Sequence, residues 1–264
     1  MSVSYWQDRA SGVSEYDVTI IGGGLAGLST AFWLAQSDSS LKIAVVEKYL
    51  VGSGASGRNA GFITCGSVEH FNRMVGKHGE KQACAIWKFG EKNLELLQEK
   101  IIGSNAEELG LESKGSFSLA GSEGEFTELK ESAALMKNLG INVDVLEEQE
   151  IKARLGANHF VGGIKYTGDA TVNPISLLHH MKNKLLIPQG IEIFENHEVF
   201  EIQNHGDKRI VKTNLKNFES DIVVLATNAY LPLINNYFAD KIYPTRGQIL
   251  VTEKVPRFME GPCY

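Results

Sequence analysis

Tyr16-Asp17-Val18-Thr19-Ile20-Ile21-Gly22-Gly23-Gly24-Leu25-Ala26-Gly27-Leu28 is the stretch that decides the fold. Tyr16 to Ile21 is rich in β-branched residues and stops at a glycine cluster, the pattern of a short buried strand. Leu25 to Gln36 reads as a helix, with Leu28, Ala31, Phe32 and Ala35 on one face. Lys42 to Val46 reads as a second buried strand. Strand, glycine turn, helix and strand form a βαβ unit, whose crossover implies a parallel sheet.

Gly22, Gly24 and Gly27 complete the spacing G-x-G-x-x-G at the strand-to-helix turn. The first glycine permits the turn, the second lets a pyrophosphate approach the backbone, and the third lets helix and strand pack closely. The start of the helix, at Leu25 and Ala26, offers free N–H groups and a partial positive charge to phosphate. Glu47 ends the second strand, 20 residues after Gly27, where a carboxylate accepts from ribose hydroxyls. That charge would repel a 2′-phosphate, so the pattern favours FAD or NAD over NADP.

Composition narrows the class. The chain has 264 residues, 43% hydrophobic and 22% charged, and a net charge of −6, which argues against a nucleic-acid partner. Cys65, Cys84 and Cys263 are scattered and odd in number, so neither a metal site nor a disulfide framework is expected, as in a cytoplasmic protein. Met1 to Val13 lacks the apolar core of a signal peptide, and no run is long enough to span a membrane.

Further along, Gly79 to Ile102 reads as a long amphipathic helix, and Glu123 to Leu139 as another. Pro174 suits the first turn of a helix reaching Leu186. Asp169 and Asn173, within Gly168 to Pro174, read as turn and cap residues. Short strands are expected at Gly115–Ala120, Ile191–Phe194, Val199–Ile202 and Arg209–Thr213. Asp221–Ala226 and Gly247–Thr252 read as stronger ones.

A second glycine-rich run, Gly52-Ser53-Gly54-Ala55-Ser56-Gly57-Arg58-Asn59-Ala60-Gly61-Phe62, follows Glu47 and Lys48. With Val199, with Ala226-Thr227-Asn228-Ala229-Tyr230 and with Pro244-Thr245-Arg246-Gly247-Gln248, it resembles the D-amino-acid oxidase-like family of flavoenzymes, in particular its gamma-glutamylputrescine oxidase-like branch. The resemblance implies an α/β fold, with a Rossmann-like FAD-binding domain on a parallel sheet, interleaved with a partial α+β substrate domain. It places the FAD-binding domain at residues 14–110 and 166–235, and the substrate domain at 111–165 and 236–264.

It also implies the cofactor contacts. The run Gly54, Ala55, Ser56, Arg58, Asn59, Ala60 and Gly61 would follow the FAD pyrophosphate to the flavin ring. Val199 would border the adenine, and Ala226 and Thr227 would pass beneath the cofactor. FAD is expected to be non-covalent, because Gly52 to Gly61 holds no histidine. The implied chemistry is oxidation of a C–N bond in a small amine or amino acid, with hydride passing to flavin. Arg58 and Asn59 are candidates beside the ring; Arg246 and Gln248 are candidates on the substrate side, the arginine for a substrate carboxylate.

Family members run well past this length, so a truncated chain, incomplete as an enzyme, is expected, with a partner chain supplying the remaining part as one arrangement. Two other readings stand beside the oxidase: the flavin domain of a tRNA wobble-uridine modification enzyme, and a non-catalytic fragment that needs a second polypeptide.

Overall fold

The structure is a computed structural model that describes residues 12–263. The N-terminal stretch read for a signal peptide lies almost wholly outside those residues. The chain forms two compact units. One runs to Ala60 and resumes over Pro174–Ile249; the other comprises Gly61–Asn173 and the residues from Leu250 onward.

The first unit opens with strand β1 (Val13–Ile21), helix α1 (Leu25–Ser37) and strand β2 (Ile43–Val46). Gly27, Leu28, Ala31, Phe32 and Ala35 are the buried face of α1. Each large apolar side chain buried in this way contributes about 2 kcal/mol. The helix stops where Asp38 turns extended and donates its N–H to Leu34 O at 2.9 Å. The Asp38 carboxylate then accepts from Ser40 N at 2.9 Å and turns the chain toward β2.

The second unit follows. It contains β3 (Phe62–Ile63), α2 (Val68–His78), α3 (Glu80–Leu96), β4 (Ser116–Ala120), α4 (Glu123–Asn138), β5 (Val143–Glu147), α5 (Glu148–Leu155), β6 (Gly162–Tyr166) and β7 (Ala170–Thr171). Strands β4, β6 and β5 form an antiparallel sheet in that order, and β3 pairs with β7. Val68, Phe71, Ala83 and Trp87 of the two long helices share a core with Ala133 and Met136 of α4 and with Ile164 and Tyr166 of β6. This shared core places residues 61–110 in the second unit, whereas the sequence reading gave them to the cofactor domain. The unit boundaries, at 60, 173 and 249, accordingly differ from the expected limits at 110, 165 and 235.

The chain re-enters the first unit through α6 (Pro174–His180), which continues as a π-helical turn to Leu186, and then through β8 (Glu192–Phe194), β9 (Val199–His205), β10 (Lys208–Thr213) and β11 (Asn217–Leu225). The six-stranded sheet has the order β8-β2-β1-β11-β10-β9. Its first four strands are parallel, and β10 and β9 add as an antiparallel hairpin. Two buried hydroxyls, Thr19 Oγ1 and Ser220 Oγ, satisfy each other between β1 and β11. Tyr16, Phe194 and Phe218 pack their rings on this sheet.

One expected strand does not form. Gly247–Thr252 has no regular structure and is exposed. Its apolar pattern suits a strand, but a strand also needs a neighbour for its backbone groups, and none meets it among the described residues.

Candidate dinucleotide site

The sheet brings three strand ends to one level. Ile21 is in register with Val46 of β2 and Leu225 of β11. The next residue of each strand therefore emerges at the same carboxyl edge: Gly22, Glu47 and Ala226. Gly22 N donates to Val46 O, Ala226 N to Ile21 O and Glu47 N to Phe194 O, each at 2.8 Å. The crevice beyond the carboxyl ends of parallel strands is where open α/β sheets take their ligands.

Close packing explains two of the glycines. A Cβ on Gly27 would lie 1.9 Å from Gly22 O, so no side chain fits between α1 and the turn. A Cβ on Gly22, whose φ is +115°, would lie 2.5 Å from Ala226 O. Gly54 differs, since a Cβ there would meet nothing within 4 Å. Open space at Gly54 leaves its backbone approachable.

The start of α1 is suited to an anion. Gly24 caps it without a side chain, and no acid occupies its first turn. The positive end of the helix dipole is therefore uncompensated. Ser56 brings the second glycine run to this point, its Oγ accepting from Leu25 N at 2.9 Å. Leu25 and Ala26 themselves are exposed. Ala55–Gly57 forms one 3-10 turn, which Asn59 closes by donating its side-chain amide to Ser56 O at 2.7 Å and Ala55 O at 3.2 Å.

Glu47 is oriented by backbone donors. Its carboxylate accepts from Gly23 N at 2.7 Å and from Tyr49 N at 3.0 Å. A carboxylate offers about four lone-pair sites, so acceptor capacity remains for ribose hydroxyls. Lys48 pairs with Glu198 at 2.7 Å, and that hydrogen bond is the main cause raising its pKa. Val199, directly after Glu198, packs against the cluster containing Ile21 and Val46, the residues just before Gly22 and Glu47.

Arg58 and Ala60 are exposed, and Arg58 forms no ion pair among the described residues. Gly61 begins the second unit with φ +76°, and its carbonyl accepts from Val172 N at 2.9 Å. Arg246 and Gln248 lie in the exposed, irregular stretch, and among the described residues no hydrogen bond holds either side chain. Thr227 follows Ala226 at the strand edge, and its Oγ1 is buried without a partner among the described residues. A buried hydroxyl left unpaired is costly, and a ligand atom there would relieve it.

The motif reading missed one supporting residue. Glu195 lies just beyond β8, accepts from Val51 N at 2.8 Å and pairs with Lys182 at 2.7 Å. It pins the turn between Glu47 and the second glycine run. No glycine spacing or local motif marks it, because its partners are 144 and 13 residues away.

A helix start with no acid in its first turn, an oriented carboxylate, an orphaned hydroxyl and an open glycine backbone together fit a dinucleotide such as FAD. The family model described as "FAD dependent oxidoreductase" matches residues 17–263. The chain belongs to this family. FAD is the family's cofactor. A probable oxidoreductase, OrdL, of Haemophilus influenzae is 29% identical over 250 residues, covering 91% of this chain and 56% of the relative. Gamma-glutamylputrescine oxidoreductase of Escherichia coli is 23% identical over 242 residues, covering 90% of this chain and 55% of the relative. The crystal structure of glycine oxidase from Geobacillus kaustophilus superposes with a TM-score of 0.65 at 26% identity, over 84% of this chain and 57% of that one. The chain thus spans little more than half the length of these relatives. Among the described residues no helix is long and apolar enough to cross a membrane, and no cluster of side chains could hold a metal ion.

Proposed function

We propose that this chain contributes the flavin site of an enzyme that oxidises the C–N bond of a small amine or amino acid. The observation that carries the reading is the strand edge itself, where the acid-free start of α1, Glu47 and the Thr227 hydroxyl follow three strand ends that are in register. Bound FAD would supply the hydride acceptor for the carbon next to the substrate nitrogen. The chain's own part is to hold that cofactor: α1 and Ser56 at the pyrophosphate, Glu47 at a ribose, Val199 beside the adenine. Arg58 and Asn59 are assigned to the ring end of the second glycine run. Relatives that act on gamma-glutamylputrescine and on glycine support a nitrogen-bearing substrate.

FAD is held without a covalent bond in this reading. Cys65, the thiol next after the second glycine run, has its pKa pushed up to about 12 by burial and by the nearby charges of Asp169 and Glu91. So little thiolate makes it a poor nucleophile. The three free thiols also support a reducing compartment such as the cytoplasm. Turnover calls on the rest of the family's length, whether in the same polypeptide or a partner chain.

The experiment is an absorbance spectrum after incubation with FAD and desalting, followed by anaerobic addition of amines, amino acids and α-hydroxy acids. Retained flavin that acid precipitation releases, and that amines bleach, is the expected result. Bleaching by hydroxy acids but not by amines would overturn the substrate class. Failure to bind FAD both alone and with the remaining family segments added would overturn the site.

A further inference from the structure

The second glycine run has little structure of its own. Its one regular turn, Ala55–Gly57, buries no residue. Glycine-rich backbone is also the costliest to hold in one conformation. Helix α6 supplies the support. A Cβ on Gly52 would lie 3.0 Å from Leu178 Cδ1 and 3.1 Å from Ile175 Cδ1. A Cβ on Gly57 would lie 2.5 Å from the same Ile175 methyl group and 2.1 Å from Gly52 O. The run therefore closes into a loop at Gly52 and Gly57, and Ile175 sits at the base of that loop. One turn after Leu178, Lys182 pairs with one oxygen of Glu195 at 2.7 Å. The other oxygen accepts from Val51 N at 2.8 Å and so fixes the residue that enters the loop. The π-helical continuation of α6 packs against α1. One element thus backs both the helix after the first glycine run and the loop of the second.

We propose that α6 preorganises the second glycine run for the flavin half of the cofactor, with Ile175 and Lys182 as positioning residues. The proposal rests on the flavin reading for its ligand and on packing alone for the support. A loop that must be ordered at the moment of binding gives up affinity, and a loop already held does not. The backbone at Gly54 is open on its own side, so its place has to be set from the base of the loop. Ile175 sets it by contact at Gly52 and Gly57. Lys182 sets it through Glu195, whose carboxylate it holds against Val51 N. The side chains of Lys182 and Glu195 are only 20% and 23% exposed, so salt screens the pair weakly.

Tryptic cleavage after Arg58, an exposed residue just past the loop, reads the order of the run without any ligand. Ile175→Ala removes the methyl group at the base of the loop, and Lys182→Met removes the charge that holds Glu195. Each should speed that cleavage about fivefold relative to cuts elsewhere in the chain. Each should also raise the FAD dissociation constant about tenfold. Ile175→Leu keeps a terminal methyl group and should stay within about twofold of wild type in both measurements. Ile175 and Lys182 are partly exposed, and circular dichroism checks that each variant is folded. Cleavage after Arg58 that neither substitution speeds would overturn the proposal, as would FAD affinity equal to wild type in both variants. A wild type that binds no FAD, alone or with the remaining family segments, would overturn the flavin reading. The cleavage comparison tells that failure from a failure of the support.

Discussion

Ser56 Oγ accepts a hydrogen bond from the backbone N–H of Leu25 at 2.9 Å, so a residue of the second glycine run caps the helix that follows the first. The two runs are one device, in which the second run stands in for the side chain that Gly24 lacks. Ser56→Ala should lower stability by about 1 kcal/mol, the usual effect of losing a cap, and should weaken flavin retention as the runs separate. Urea midpoints and flavin fluorescence titration read the two effects. Unchanged retention with lowered stability would confine Ser56 to a structural role.

Gly27→Ala and Gly54→Ala should behave oppositely. The first forces a methyl group 1.9 Å from a main-chain oxygen and should destabilise the fold by about 3 kcal/mol. The second adds its methyl group to open space and should leave the urea midpoint alone while reducing flavin affinity. Equal stability of the two variants would contradict the packing account.

Glu47→Gln keeps the shape of the side chain but removes its charge. Hydrogen bonds to charged groups contribute roughly 1.5–3 kcal/mol, so flavin affinity should fall about tenfold or more. Isothermal titration with FAD measures it. Affinity equal to wild type would remove Glu47 from the ribose position.

Thr227→Val replaces a buried, unpaired hydroxyl with a methyl group of similar size. Without cofactor the variant should be equal to wild type or about 1 kcal/mol more stable, since no hydrogen bond is lost. With FAD the order should reverse. A thermal melt with and without FAD gives both numbers, and a variant less stable in both states would mean that the hydroxyl has a protein partner.

Asp169 is 3% exposed and accepts from Ser116 Oγ at 2.6 Å. Burial raises its pKa, against hydrogen bonds from Ser116, Thr64 and the Cys65 backbone that lower it. The folded chain therefore holds this proton more tightly than the unfolded one. Stability from the group is full below the ordinary value of 3.8 and is lost as pH rises through the folded value. Asp169→Asn should flatten that decline in urea midpoints measured across the acid range. An identical slope in the variant would assign the decline to other carboxylates.

The βαβ unit was legible because its signals are local. Strand β1, helix α1 and strand β2 each carry their own apolar period, and the glycines mark the turn between them. Glu47 was legible for the same reason, since one strand length fixes its place. Asp169 was read as a turn residue, although its role is set by Ser116, which lies 53 residues away. Glu195 went unseen because its partners lie beyond any local window. Gly247–Thr252 was read as a strand because its contiguous Ile249, Leu250 and Val251 report what a strand wants, not whether a neighbour is there, and none meets it among the described residues.

The sequence by itself determined the parallel unit, the glycine turn and the acid at the end of β2. Backbone sterics and side-chain period decide those within a few residues. Only the tertiary structure decided that Gly22, Glu47 and Ala226 emerge at one level and that Ser56 caps α1. It also decided that residues 61–110 pack with the second unit. Those outcomes depend on register and on which surfaces compete for burial, and both come from contacts between residues far apart in the chain.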